Sequence, residues 1–403
     1  MASPAVSSRA RLIQASPIRK LTPLADAAKK RGIEVFHLNI GQPDIPTPSD
    51  YWDAMTRRIP QVLAYGPSVG IPELRTGICS YYRRAGIEVQ PSNVMITSGG
   101  SEAVIFAMMA VCDDGGEIVC FEPFYTNYNG FATMAGVKLV PVSSRVEDGF
   151  HLPPDEAIER VICDRTRAIL ICNPNNPTGT VLTAEELDRL AGICTRRNLF
   201  LLADEVYRDF TFDGRVHRST LELAGMEDRV IVMDSISKRF SSCGARLGNI
   251  VCRNAEAMDG MGRFGQARLC PPTLAQYGAA YLYENLHEDY FTDVSNTYQS
   301  RRDVLMSELE GVEGVFFLKP EGAFYATIRI PVDDSDRFAA WMLEEFNSDR
   351  MTTMVAPAAG FYATPGLGTD EIRIAYVLKE DNMRTALAVL REGLSAYPGR
   401  KTR

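Results

Sequence analysis

The residues best suited to chemistry lie between Val230 and Cys252, in the stretch VIVMDSISKRFSSCGARLGNIVC. VIVM and GNIVC are short β-branched runs of the kind that form buried strands, so the stretch reads as strand, polar hairpin, strand. The polar part holds Ser235, Ser237, Lys238, Ser241, Ser242 and Arg246. A lysine flanked by hydroxyls, with an arginine eight residues further on, suits one task. The amine forms an imine with an aldehyde cofactor, while hydroxyls and guanidinium hold that cofactor's phosphate. The competing reading is a surface loop that carries a lysine and an arginine by chance.

Other polar clusters follow apolar, strand-like runs. Val94 to Thr97 leads into Ser98-Gly99-Gly100-Ser101-Glu102 and then an apolar helix from Ala103. Strand, glycine pair, hydroxyl, helix aims backbone N–H groups and a helix N-terminus at a phosphate. It matches neither the Walker A nor the dinucleotide glycine pattern, and Ser98 or Ser101 as a simple helix cap is the alternative. Glu117 to Phe121 ends at Glu122-Pro123-Phe124-Tyr125, where an aromatic either stacks on a planar ligand or fills the core. Arg167 to Cys172 runs into Asn173-Pro174-Asn175-Asn176-Pro177-Thr178-Gly179, which cannot continue a strand. An asparagine there can donate to a ligand oxygen, and Asn176-Pro177 is a candidate cis bond. Leu199 to Ala203 delivers Asp204-Glu205-Val206-Tyr207. A carboxylate at the end of an apolar strand needs a cationic partner, which a protonated pyridine nitrogen would supply. Val35 to Ile40 ends in the constrained loop GQPDIPTP, which starts at Gly41. Arg373, inside EIRIAY, is either a structural ion pair or a carboxylate receptor. Arg19 and Lys20, beside Pro17, are solvated charge or part of an arm over an anionic substrate.

These clusters need a scaffold, and the hydrophobic patterning supplies one. From about 48 to 285 strands and helices alternate, the pattern of an α/β domain with a mainly parallel sheet. The polar loops fall after the strands, where open α/β sheets bind ligands. Thr183 and Glu186 form a capping box for the helix that follows. Beyond Tyr281 the pattern changes to a long helix reaching about Leu309, strands Gly314–Leu318 and Gly322–Ile330, a helix Ser335–Phe346, a strand Glu371–Tyr376 and a closing helix over 380–396. The expected division is a large α/β domain at 48–285, with residues 1–47 and 286–403 forming a smaller α+β domain with an N-terminal arm.

Composition narrows the function classes. A formal charge of −8 over 403 residues, with no basic run, disfavours nucleic acid and anionic membranes. The nine cysteines are scattered and form no C-x-x-C pair, which fits free thiols in a reducing compartment. Four separated histidines argue against a metal centre. MASPAVSSRARL has no apolar signal region, and Ala103 to Cys112, the longest apolar run, is too short to span a bilayer. The expected location is the cytoplasm.

Taken together, NIGQPD, YG-x-x-x-G-x-x-x-LR, NPNNPTG, DEVY, S-x-SK and GARLG occur in an order that resembles the fold-type I, pyridoxal-phosphate-dependent aminotransferases of class I/II, over Leu38 to Arg373. The resemblance implies pyridoxal 5'-phosphate as cofactor and amino-group transfer between an L-amino acid, first of all aspartate or glutamate, and a 2-oxo acid such as 2-oxoglutarate. It implies that Lys238 binds the cofactor covalently and shuttles the proton, and that Asp204 pairs with the pyridinium nitrogen. Tyr207 and Asn176 would contact the phenolic oxygen and Tyr125 would stack on the ring. Gly100, Ser101, Ser235 and Arg246 would hold the phosphate, with Tyr65 reaching the phosphate of a neighbouring subunit in a homodimer. Arg373 would grip the substrate α-carboxylate beside Gly41.

Two departures from the pattern stand out. Tyr125 occupies a position where aspartate enzymes commonly carry tryptophan, and no arginine at the aligned spacing before Pro271-Pro272 reads a distal carboxylate. Arg268, Arg19 and Lys20 are the candidates for that task. Lyase, cyclase, decarboxylase or racemase chemistry on the same scaffold is the alternative activity. A non-enzymatic amino-acid sensor is a more distant one, because such regulators carry an appended helix-turn-helix domain for which the short arm leaves no room.

Overall fold

The computed structural model describes residues 4–14 and 16–401; the first three residues of the arm, Ala15 and the last two residues of the chain lie outside the described residues. The described residues form twelve strands: β1 (Glu34–His37), β2 (Val94–Thr97), β3 (Glu117–Glu122), β4 (Lys138–Ser143), β5 (Thr166–Cys172), β6 (Phe200–Asp204), β7 (Val230–Ser235), β8 (Gly248–Cys252), β9 (Tyr325–Arg329), β10 (Met351–Met354), β11 (Ala356–Pro357) and β12 (Glu371–Ala375).

Seven of them make one sheet in the order β2-β8-β7-β6-β5-β3-β4. Strands β4, β3, β5, β6 and β7 run parallel, while β8 lies antiparallel to both of its neighbours, β7 and β2. It follows that β2 runs the same way as β7. The loops leaving β2, β3, β5, β6 and β7, and the loop entering β8, therefore all emerge at one edge. The strands are apolar on both faces because helices cover both. One buried cluster packs the helices Pro72–Arg84, Ala184–Arg197 and Thr273–Asn285 on one face. Another packs Gly100–Val111, Asn127–Ala135 and Ala255–Arg268 on the other.

The remaining strands make two small sheets, β1 with β10 in parallel and β11-β12-β9 in antiparallel register. Ala375 N donates to Leu38 O at 2.7 Å, so the end of β12 is tied to the chain just beyond β1. A third buried cluster joins Leu21 to Leu38 with Val294 to Tyr397 and takes in Tyr207, Phe210 and Phe212 from the loop after β6.

Four local expectations change. The expected helix from Tyr281 to Leu309 is two helices, Thr273–Asn285 and Glu288–Leu309. Leu286 and His287 are extended between them, and Glu288 and Asp289 open the second helix, where acidic residues favour the dipole. Gly314–Leu318 forms no strand: only Phe316 pairs with Arg329, because Gly314 at φ 78° and Pro320 interrupt the run. The connection between β7 and β8 is not an open hairpin but carries the helical turn Ile236–Arg239, capped by the Ser235 side chain. Finally, the cis bonds precede Pro123 and Pro174, so Asn176-Pro177 is trans. Among the described residues no helix is long and apolar enough to cross a membrane.

Candidate active site

A cleft of about 610 Å³ opens where the strand ends of the large sheet meet β9, β12 and the loop after β1. Lys238 and Asp204 both line it, as do Tyr207, Asn176, Tyr125, Ser235, Gly100, Ser101, Arg246, Gly41 and Arg373. Of the residues expected to hold the cofactor, Tyr65 lies elsewhere, 81% exposed on the outer surface.

Asp204 ends β6, in register with Cys172 of β5 and Met233 of β7. Its carboxylate opens onto the cleft and accepts from the Tyr128 hydroxyl at 2.7 Å and from Val206 N at 3.3 Å. Burial pushes its pKa from 3.8 up to about 6, against the opposing pull of the Tyr128 hydrogen bond. Among the described residues no cation lies within its hydrogen-bonded shell, so it is a carboxylate in want of a positive partner.

Lys238 sits on the helical turn after β7. Its Nζ donates to Gly41 O at 2.7 Å and lies 4.0 Å from Cys243 Sγ. The neighbouring Arg239 points the other way, fully buried, with Nε 2.5 Å from Asp209 and Nη2 2.8 Å from Asp234, and so anchors the turn from beneath.

An anion cradle faces these two groups. The helix Gly100–Val111 starts after Gly99, which has φ 85°, and neither Ser98 nor Ser101 caps it through its side chain. The positive φ lets the helix begin earlier than Ala103, because only glycine adopts it without strain. A Cβ on Gly99 would lie 2.5 Å from Arg246 Nη2, and one on Gly248 would lie 2.5 Å from Gly99 C. Arg246, itself at φ 54°, thereby brings its guanidinium against the helix N-terminus. Ser235 Oγ lies 2.8 Å from Ser237 Oγ. A 12-residue helix N-terminus, two serine hydroxyls and an arginine suit a phosphate dianion.

Arg373 arrives from β12, opposite Thr327 of β9, and is 2% exposed. Its Nη1 donates to Asn176 Oδ1 at 2.9 Å and its Nη2 to Asn39 O at 2.5 Å. The guanidinium is held between the rings of Tyr325 at 4.5 Å and Phe361 at 4.9 Å, and its Nε has no partner among the described residues. That geometry presets a planar fork for a carboxylate. The loop after β1 is fixed in turn by Asp44, whose two oxygens meet Arg301 at 2.6 and 3.2 Å.

The three candidates for a distal carboxylate separate. Lys20 pairs with Asp336 at 2.5 Å, away from the cleft. Arg268 is spent on Glu102 at 2.8 Å and Ser98 Oγ at 3.1 Å. Arg19 lines the cleft, on an arm pinned by Pro17 against Gly360 and by Asn39 Nδ2 to Ile18 O at 3.4 Å. Sequence reasoning missed Tyr128 and Tyr325. Both are aromatic residues in apolar surroundings, and only their long-range partners set them apart from core.

The chain is similar to known proteins over nearly its whole length. The family model described as aminotransferase class I and II matches residues 33–390. The chain belongs to that family. It is 32% identical to aromatic-amino-acid aminotransferase 2 of Thermococcus litoralis, over 95% of this chain and 96% of that protein. It is 29% identical to the aspartate/prephenate aminotransferase of Thermus thermophilus, over 95% and 97% of the two chains. The solved aspartate aminotransferase of Thermotoga maritima superposes with a TM-score of 0.89 at 28% identity, covering 97% of this chain and all of that one. The protein is therefore an aminotransferase with the fold-type I architecture.

Proposed function

We propose that this aminotransferase works with pyridoxal 5'-phosphate, held by the residues of the cleft, and transfers amino groups between a dicarboxylic L-amino acid such as aspartate or glutamate and a 2-oxo acid. The observation that carries the reading is the shared cleft: an amine and an unbalanced carboxylate face it together, with an anion cradle on one side and a buried guanidinium fork on the other. The residues present fit the cofactor's three demands. Gly100, Ser101, Ser235 and Arg246 suit its phosphate, Asp204 suits a protonated ring nitrogen, and Lys238 suits its aldehyde carbon. Tyr125 and the hydroxyl of Tyr207 would border its ring and phenolic oxygen, with Asn176 between that oxygen and Arg373.

When bound, pyridoxal phosphate supplies the electron sink for the pair left at the substrate Cα and carries the amino group from donor to acceptor. The chain does the rest. Arg373 fixes the α-carboxylate and so selects which Cα bond can break. Lys238 takes the Cα proton and returns it to the product side. Gly41 O orients that amine. Asp204 stays anionic once a cation faces it, and so keeps the ring nitrogen protonated.

Substrate class follows from charge. The cleft is lined by Arg19, Lys238, Arg246 and Arg373 against the single carboxylate Asp204. With Arg246 on a phosphate and Arg373 on an α-carboxylate, Arg19 supports a second acid group on the substrate. The named relatives span aspartate, prephenate and aromatic substrates, so this choice rests on the cleft and not on them.

The active unit in this reading is a homodimer. Ile59, Val62, Leu63 and Tyr65 are each more than three-fifths exposed in the single chain, which suits a surface covered by a second copy. The proposed division is a large domain at 48–285 and a smaller one from 1–47 and 286–403, with the cleft between them. The nine cysteines are all free, which supports a cytoplasmic location; recovery of the protein from an oxidising compartment would count against it.

The deciding experiment is Lys238→Ala. Reconstitution of this variant with pyridoxal phosphate should give no visible absorbance of covalently bound cofactor and no transfer from aspartate or glutamate. A variant that still binds the aldehyde covalently would overturn the assignment.

A further inference from the structure

Tyr325 has no role in the reading above, yet it touches three parts of the site. It lies on β9, is 2% exposed, and lines the cleft. Its hydroxyl is 2.9 Å from the hydroxyl of Tyr207. The same oxygen occupies the space beside Gly41, where a Cβ would lie 1.8 Å away. Its ring face carries the Arg373 guanidinium at 4.5 Å.

We infer that Tyr325 is a positioning residue for the transfer reaction: its hydroxyl donates to Tyr207, which frees the Tyr207 proton for the cofactor's phenolic oxygen, and its ring holds Arg373 toward the substrate carboxylate. The inference rests on the cofactor reading above. Each phenol has one proton, and among the described residues each hydroxyl finds the other as its hydrogen-bond partner. Only one of the two can donate across that contact, so the other has a proton to give elsewhere. An anionic oxygen beside Tyr207 selects the arrangement in which Tyr207 donates to it and Tyr325 donates to Tyr207. Two hydrogen bonds in series polarise one another, so Tyr207 becomes the stronger donor. Burial holds the Tyr207 phenol well above its ordinary range, which keeps it a donor at working pH.

The ring does separate work. Arg373 is sandwiched between Tyr325 and Phe361, and a guanidinium desolvated against two aromatic faces keeps its plane. Gly41 completes the arrangement. With no Cβ there, the Tyr325 hydroxyl fits against the residue whose carbonyl accepts from Lys238. One side chain thus links the phenolic contact, the lysine loop and the carboxylate fork.

Tyr325→Phe keeps the ring and removes the donor. A weaker donor leaves the phenolic oxygen more basic, so the pH midpoint of the visible absorbance of the reconstituted protein should rise by about half a unit to one unit. The affinity of the cofactor-free protein for 2-oxoglutarate, read by calorimetry, should stay within about twofold because the cation–π contact survives. Tyr325→Leu removes the ring as well, and that affinity should fall roughly 3- to 30-fold. Tyr207→Phe is the control. If Tyr207→Phe leaves the midpoint unmoved, the cofactor contact itself is wrong. If Tyr207→Phe moves it and Tyr325→Phe does not, the inference about Tyr325 alone is overturned. An unchanged affinity in Tyr325→Leu overturns its second half.

Discussion

Asp204 gives the sharpest test of how this site is built. In the cofactor-free protein its carboxyl is pushed from 3.8 up to about 6 by burial. The sign follows directly. A group that prefers its proton in the folded state is no burden below the unfolded value, and becomes one as pH rises through the folded value. From pH 4 upward the folded protein is progressively penalised for carrying this charge, and above pH 6 the penalty is complete. The shift corresponds to at most about 3 kcal/mol, lessened by the part of the carboxylate that faces the open cleft. Asp204→Asn removes the titration and keeps an acceptor for Val206 N. Measured by denaturant unfolding without cofactor, the stability of the variant relative to the parent should therefore climb between pH 4 and pH 7, by about 2 kcal/mol. Adding pyridoxal phosphate should reverse the ranking, because a protonated ring nitrogen balances the parent's carboxylate and finds no charge in the variant. A difference that stays flat with pH, or a cofactor that stabilises both proteins equally, would refute the argument that Asp204 is an unbalanced buried charge awaiting a cation.

Two further outcomes are expected. His151 Nδ1 lies 2.9 Å from Glu186 and its Nε2 3.8 Å from Glu321, and the Glu186 hydrogen bond raises its pKa above 6.5. The stability this brings is present below pH 6.5 and lost as pH rises through the raised value, so His151→Gln should flatten the fall in unfolding free energy over that window. Leu63→Glu, on the exposed apolar segment, should convert a dimer into a monomer in sedimentation velocity and reduce transfer activity with it; a variant that sediments as the parent does would remove that surface from the interface.

Much of the chain was legible because its signals are local. Strand β2 has the bounds read from its β-branched run, and Thr183 with Glu186 caps the next helix as its spacing requires. That Lys238, Asp204, Asn176 and Tyr125 share one cleft is foreshadowed by each following an apolar run at a strand end. What failed was also local, where two signals competed. The Tyr281–Leu309 periodicity continues through Leu286, and nothing in it marks the break that the acidic start of Glu288–Leu309 creates. The apolar residues of 314–318 look like a strand, but glycine and proline at the ends leave Phe316 a single bridge.

By itself the sequence determined which side chains leave the strand ends and what chemistry those types can do, since both depend on residues a few positions apart. Tertiary structure alone decided their partners. Arg373 meets Asn176 and Asn39 O, Asp204 meets Tyr128, and Tyr325 meets Tyr207, across separations of 76 to 334 residues. It also decided that, of three equally charged candidates, Lys20 and Arg268 are held by Asp336 and Glu102 while Arg19 faces the cleft. Contacts of that range are fixed by the sheet order and by the tie between the end of β12 and the chain just beyond β1, and no short-range pattern encodes them.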